Sequence, residues 1–214
     1  MSSEFHRLAG EFRKTFSHEE LDKKVVLEIA CGIGIWGHLL RASIDLSGAD
    51  CYLVGCDGFK PYLQKSRGHT PYDDVVLCDV RKLPFKTQTV DLTLAFEIIE
   101  HLDKQEGVIF LTNLQLITRN KVIISTPYGY YVQGAINNNS FERHISSWFK
   151  HDFQSRGFTV KTCGFGNEFE IILRKFHLDN LWRIIAKLML KNEYAGMMLF
   201  ATKKSKTMNL FGEA

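Results

Sequence analysis

The sequence predicts an α/β fold built on a mostly parallel sheet, and three features of the chain predict it. Val25 to Ile29 sets four apolar side chains around the carboxyl of Glu28, the composition of a strand buried on both faces. Directly after it come Ala30, Gly32 and Gly34 and then an apolar pattern of helical period, so a strand turns into a helix through small residues. Further along, three more apolar runs end in an acid, at Asp57, Asp79 and Glu97, with helical stretches among them. Strands alternating with helices at this spacing form βαβ units. Right-handed crossovers put the C-terminal ends of such strands on one edge, where the acids are expected to gather.

The 214 residues suit a single domain, expected over residues 1–204 with 205–214 as a flexible tail. Hydrophobic residues at 45% and charged ones at 24% argue against disorder. A net charge of +3 is too small to point to nucleic acid or a membrane surface. The five cysteines, Cys31, Cys51, Cys56, Cys78 and Cys163, show no C-x-x-C spacing. An odd count with a polar N-terminus points to a reducing compartment, hence a cytoplasmic protein. No apolar run is long enough for a membrane span.

In chain order, Phe5 to Phe16 has helical apolar spacing within an N-terminal segment of residues 1–20. After the glycine turn a helix is expected from Ile35 to Leu46, with Leu39, Leu40 and Ile44 inward and Gly48 as its stop. Cys51–Asp57, Val75–Asp79, Val90–Glu97 and Lys121–Pro127 read as strands, and Phe59–Arg67 (closed by Gly68) and Asp103–Ile117 as helices. Residues 128–144 lack periodicity and carry Gly129, Gly134 and three asparagines, the pattern of a functional loop. Ser146 or Ser147 is expected to cap a helix reaching Arg156, ahead of Gly157 and a strand at Phe158–Cys163. Residues 167–192 read as a variable insert with a strand at Ile171–Leu173 and an apolar helix at Leu178–Leu190, and Tyr194–Lys203 as the last strand.

The glycine turn aims the free N–H groups of a helix's first turn at a ligand, which fits any nucleoside cofactor. Asp57, an acceptor-only group, is placed to take two ribose hydroxyls; its alternative is to cap the next helix. A pyrophosphate site wants G-x-G-x-x-G, and Ala30, Gly32 and Ile35, read as the corresponding positions, do not supply it. Glu28 would also repel phosphates. A cofactor with a cationic end and no phosphate removes both conflicts.

On these residues the sequence resembles the class I S-adenosylmethionine-dependent methyltransferases over about residues 24 to 165. Val26 to Gly34 is similar to their first motif, acid-x-Gly-x-Gly-x-Gly, with Ala30 in place of the first glycine. Leu83-Pro84-Phe85 followed by Val90-Asp91-Leu92 is similar to the family's run into its fourth strand. The resemblance implies a Rossmann-like, doubly wound seven-stranded sheet, mostly parallel with an antiparallel last strand. It implies that Glu28, Ala30, Cys31, Gly32 and Gly34 cradle S-adenosylmethionine, that Asp57 holds the ribose, and that Gly58 beside it also belongs to the cofactor site. Asp79 and the Val80 backbone would meet the adenine, and Phe96 and Glu97 would line the methionine end. The implied activity is methyl transfer to a small-molecule acceptor, with a hydroxyl favoured.

Two features bear on the acceptor. If the chain turns helical after Phe96, then Glu97, Glu100 and His101 share a face, and with His144 they could hold a divalent cation. This arrangement resembles that of small-RNA 2′-O-methyltransferases and quinone-biosynthesis O-methyltransferases. In the plainer reading Glu97 contacts the cofactor, Glu100 is solvated and His101 is structural. His144 is also the candidate catalytic base, since an imidazole near 6.5 suits proton removal at neutral pH; its alternative is to anchor the next helix. Trp148 and Phe149 read as core, with Trp148 alternatively walling a pocket. Tyr128, Tyr130 and Tyr131 suggest an apolar or planar acceptor. The competing readings are a metal-assisted RNA or catechol-type O-methyltransferase, an inactive cofactor-binding partner subunit, and a nicotinamide dehydrogenase. The chain shows no basic, aromatic-interleaved patch, which counts against RNA, and its oligomeric state cannot be read from it.

Overall fold

The computed structural model describes residues 16–66, 70–129, 131–136, 139–163 and 198–204. Its helices are α1 (His18–Leu21), α2 (Ile35–Ser47), α3 (Lys60–Ser66), α4 (Lys104–Ile117) and α5 (Lys150–Gln154). Its strands are β1 (Lys24–Ile29), β2 (Cys51–Asp57), β3 (Asp74–Leu77), β4 (Val90–Phe96), β5 (Thr118–Pro127), β6 (Thr159–Cys163) and β7 (Met198–Lys204). The strands form one seven-stranded sheet in the order β3-β2-β1-β4-β5-β7-β6. Parallel pairs join β1 to β2, β1 to β4 and β2 to β3. The sheet is mixed, with an antiparallel last strand, as the sequence predicts. The expected Phe5–Phe16 helix, Gly68, Tyr130, the insert elements at 171–173 and 178–190, the start of the last strand and the tail lie outside the described residues.

Burial follows from position in the sheet. Every residue of β4 is buried, including Asp91 and Thr93. Thr93 shares a hydrogen bond with Thr118, and Asp91 accepts one from the Val25 backbone, so these polar groups are satisfied inside. β3 lies at the end of the strand order, and its Val75 and Leu77 are 38% and 55% exposed. The apolar run there is an edge strand that stops at Leu77. Cys78 and Asp79 lead instead into a 3-10 turn, Val80–Lys82, with Asp79 as its cap.

α2 buries Gly37, Leu40 and Ile44 and ends at Gly48 in the left-handed conformation, as expected of a glycine stop. α5 departs from expectation. Neither Ser146 nor Ser147 caps it; the helix starts at Lys150, and the Asp152 carboxylate accepts from the Phe149 backbone. The reason is Trp148, which is 0% exposed and bridges Tyr128, keeping the chain before the helix extended.

By their contacts the residues fall into two units. One comprises His18–Ala95, Val108–Ile123 and the end of β7; the other comprises Phe96–Gly107 and Ile124–Ala201 together with Phe16 and Ser17. In the first, Val26, Leu27, Ile29, Leu40, Ile44, Leu53 and Leu94 form the core. In the second, Trp148 packs on Phe153 at 5.6 Å between ring centres, and Phe96 stacks on Phe200 at 6.3 Å. Among the described residues no helix is long and apolar enough to cross a membrane.

Candidate functional site

The glycine loop between β1 and α2 is held in strained backbone. Ala30, Gly32 and Gly34 have φ of 55°, 55° and 87°, all left-handed. Gly34 is the N-cap of α2 and, being glycine, supplies no side chain to cap its first turn. Asp57, at the end of β2, is 7% exposed. One of its oxygens accepts from the Gly32 backbone at 2.8 Å and the other from Phe59 at 2.7 Å. The acid therefore caps the turn beyond β2, the alternative role read from the sequence, and also anchors the glycine loop, which the sequence did not announce. Cys31 is buried, and its backbone N–H extends the ladder to Cys56. Gly58 lies beside the Cys78 carbonyl, which a Cβ there would meet at 3.4 Å. Asp79 is clasped by the Arg81 guanidinium at 2.7 Å, and this pairing holds its carboxyl below the ordinary range. Val80 beside it is buried.

Glu28 is 2% exposed and accepts a hydrogen bond from the Tyr72 hydroxyl at 2.7 Å. Burial pushes its carboxyl up to about 8, the Tyr72 bond opposes the rise, and the Asp57 charge adds to it. At neutral pH Glu28 is mostly protonated, so the expected standing repulsion of phosphates is absent. The glycine argument changes too. Gly32, Gly34 and Gly37 do carry G-x-G-x-x-G spacing, which the register taken at Ala30 missed. A Cβ on Gly37 would stand 2.4 Å from the Tyr72 hydroxyl, one on Gly55 2.9 Å from its ring, and one on Gly34 3.3 Å from it. Gly37 therefore admits a side chain of the protein itself. Sequence reasoning missed Tyr72; the signal was a strand acid accompanied by glycines on facing elements.

The second cluster lies in the other unit. The chain does not turn helical at Glu97, whose φ is 51°. Its carboxylate accepts from Ser125 at 2.7 Å, and only Ile99–His101 forms a 3-10 turn. The shared helical face of Glu97, Glu100 and His101 is thus replaced by a tighter grouping. Ligand atoms of Glu100, His101 and His144 lie within 4.8 Å of one another, a group that does not include Glu97. Glu100 is 2% exposed and so is not solvated. Its Oε2 accepts from Thr126 at 2.9 Å, while Oε1 has no hydrogen-bond partner among the described residues and stands 4.0 Å from His144 Nε2. Burial, with the charge of Glu97, pushes the Glu100 carboxyl well up.

The backbone carbonyl of Glu100 accepts from Ile145 and Ser146, which fastens the end of the 128–144 loop to the turn. His101 Nδ1 lies 3.1 Å from the Arg143 carbonyl and His144 Nδ1 3.0 Å from that of Tyr131, with the two rings 4.8 Å apart. Burial pushes both imidazoles down, and His144, facing His101, falls to about 4. A neutral imidazole with so low a value is a weak base but an available metal ligand. Trp148 donates to the Ile99 carbonyl and to Ser146 Oγ and fits against Gly107, so it is core that braces this turn rather than a pocket wall. Tyr131 is half-buried beside His144, and Tyr128 packs on Phe149.

A largely parallel sheet with a glycine loop and an acid closing the next strand is the arrangement seen in nucleoside-cofactor-binding folds. Residues 26–120 match the family described as a methyltransferase domain. Solved structures share the fold. The PH0226 protein of Pyrococcus horikoshii OT3 is 15% identical with a TM-score of 0.61, covering 95% of this chain and 90% of its own. An S-adenosylmethionine-dependent methyltransferase of Mesorhizobium loti is 13% identical with a TM-score of 0.57, covering 91% and 96%. Magnesium protoporphyrin IX methyltransferase of Synechocystis PCC 6803, with S-adenosylmethionine bound, is 10% identical with a TM-score of 0.58, covering 95% and 80%. No curated protein matches the chain in sequence. The chain is thus similar to a methyltransferase domain over residues 26–120 and shares the fold of solved S-adenosylmethionine-dependent methyltransferases.

Proposed function

We propose that this enzyme methylates a hydroxyl on a small-molecule acceptor, aided by a divalent cation held by Glu100, His101 and His144. Bound S-adenosylmethionine supplies an electrophilic methyl on a sulfonium. On the cofactor side, Glu28, Ala30, Cys31, Gly32, Gly34, Asp57, Gly58, Asp79 and Val80 are the binding residues, with Phe96 and Glu97 toward the methionine end. The left-handed loop and the buried acids fit this cofactor: the acids accept hydrogen bonds from ribose hydroxyls and an ammonium, and the loop, tied by its backbone to Cys56 and Asp57, is preorganised.

On the acceptor side, the observation that carries the reading is Glu100 Oε1, buried with no hydrogen-bond partner among the described residues and beside two neutral imidazoles. A buried carboxylate oxygen left unpaired is costly, and one carboxylate with two imidazoles is a donor set suited to a divalent transition metal. Such a cation would lower the pKa of a coordinated hydroxyl. Methyl transfer itself needs the acceptor oxygen to give up its proton to solvent as its bond to the methyl carbon forms and the carbon–sulfur bond breaks; Glu100, His101 and His144 would hold the cation that eases that proton loss. Half-buried Tyr128 and Tyr131 support a planar or apolar acceptor of small size. The free thiols Cys31, Cys51, Cys56 and Cys78 support a reducing, cytoplasmic setting.

The test is a panel of hydroxyl acceptors assayed for methyl transfer before and after chelation, with calorimetric titration of Mn²⁺ and Zn²⁺ into the wild type and Glu100→Gln. Metal binding that disappears in Glu100→Gln, with activity lost to chelator and restored by metal, is the expected result. Turnover indifferent to chelator, with no metal bound, overturns the metal assignment.

A further inference from the structure

We infer that Tyr72 is a positioning residue for cofactor binding, acting through the Glu28 carboxyl and the glycine loop. This rests on the reading that Glu28 and the loop hold S-adenosylmethionine. Tyr72 precedes β3, yet its side chain is 6% exposed. It reaches glycines of three different segments: Gly34 in the loop, Gly37 on α2 and Gly55 on β2. A Cβ at Gly37 or Gly55 would meet it at under 3.0 Å. The distance from the start of α2 to β2 is therefore set by this ring.

Packing alone asks only for a phenyl ring. The hydroxyl is accounted for by the 2.7 Å bond it donates to Glu28 Oε2. Its proton is secure, because burial and the Glu28 charge push the phenol far above neutrality. The titratable groups around Glu28 are Tyr72 from the segment before β3, Asp57 from β2 and Cys31 from the loop. Asp57 disfavours a charge on Glu28, and the Cys31 thiol, itself pushed up by burial, adds none. Tyr72 is the group among these that stabilises the ionised form. An ammonium-bearing cofactor binds best to a carboxylate, so binding requires Glu28 to lose its proton. A hydrogen bond to a charged acceptor is stronger than one to a neutral acid, so Tyr72 eases that loss.

The experiment is calorimetric titration of S-adenosylmethionine and S-adenosylhomocysteine into the wild type, Tyr72→Phe, Glu28→Gln and the double variant, over a range of pH. Tyr72→Phe is expected to weaken binding about tenfold and to move the pH at which affinity levels off upward. In the Glu28→Gln background the same change is expected to alter Kd by less than about twofold, since the partner charge is gone. Additive losses with an unmoved pH profile overturn the inference and leave Tyr72 a packing residue. A wild type that binds neither ligand overturns the cofactor reading itself. Should Tyr72→Phe fail to fold, the ¹³C resonance of the Glu28 carboxyl in the wild type decides. Its titration is expected near 8 in the free protein and lower with S-adenosylhomocysteine bound. A midpoint that binding leaves unchanged overturns the inference.

Discussion

Replacing Glu28 with glutamine should make the protein more resistant to alkaline pH. The carboxyl stands at about 8 in the folded chain against an ordinary 4.5, because it is fully buried. Its folded value lies above its unfolded one, so its stabilising contribution is complete below about pH 4.5 and is lost as pH climbs to about 8. Each pH unit in that window costs ~1.4 kcal/mol, up to about 5 kcal/mol across the whole of it. Glutamine keeps the size and the acceptor for Tyr72 but does not titrate. At about pH 5 the two proteins should melt within a few degrees of each other; near pH 8.5 the variant should melt about 10 °C higher. Thermal unfolding followed by circular dichroism from about pH 5 to about pH 8.5, without ligand, makes the comparison. The other titrating groups are common to both proteins, so their effects cancel in the difference. Parallel melting curves across the range would refute the reasoning, because they would mean that Glu28 is ionised in the folded chain.

Two further outcomes follow from the loop. Ala30→Gly should stabilise the protein by at most about 1 kcal/mol: glycine removes a left-handed cost of ~1–2 kcal/mol and returns part of it as chain entropy. Urea unfolding measures this, and a clear loss of stability would contradict it. Gly37→Ala should cost ~1–3 kcal/mol although alanine is the better helix former, because its Cβ meets the Tyr72 hydroxyl at 2.4 Å. The same unfolding assay checks it, and a stabilised variant would mean that Tyr72 does not fill that space.

The fold was legible because its signals are local. The apolar run at Val25–Ile29, the small residues after it and the acids closing later runs each reflect one strand or turn. A parallel sheet repeats that signal, so the order of the elements could be read directly. What the sequence could not show were effects of tertiary packing. Val75–Leu77 looks like interior strand and lies at the sheet edge, since composition does not reveal which strand ends the order. Ser146 is a good cap by type, yet the burial of Trp148 draws it to the Ile99 carbonyl and leaves the capping to Asp152. Glu97 was placed on a helical face, but its left-handed backbone turns it toward Ser125 and leaves Glu100, His101 and His144 as the compact group. The pairing of Glu28 with Tyr72 spans 44 residues, a separation at which no periodicity in the chain could announce it.

The proposed methyl transfer depends on the glycine loop and Asp57 holding S-adenosylmethionine. Calorimetric titration of S-adenosylmethionine and of NAD into the wild type and Asp57→Ala tests it most directly. One S-adenosylmethionine should bind per chain, NAD should not bind, and binding should be lost in Asp57→Ala. NAD bound tightly by a wild type that ignores S-adenosylmethionine would contradict it.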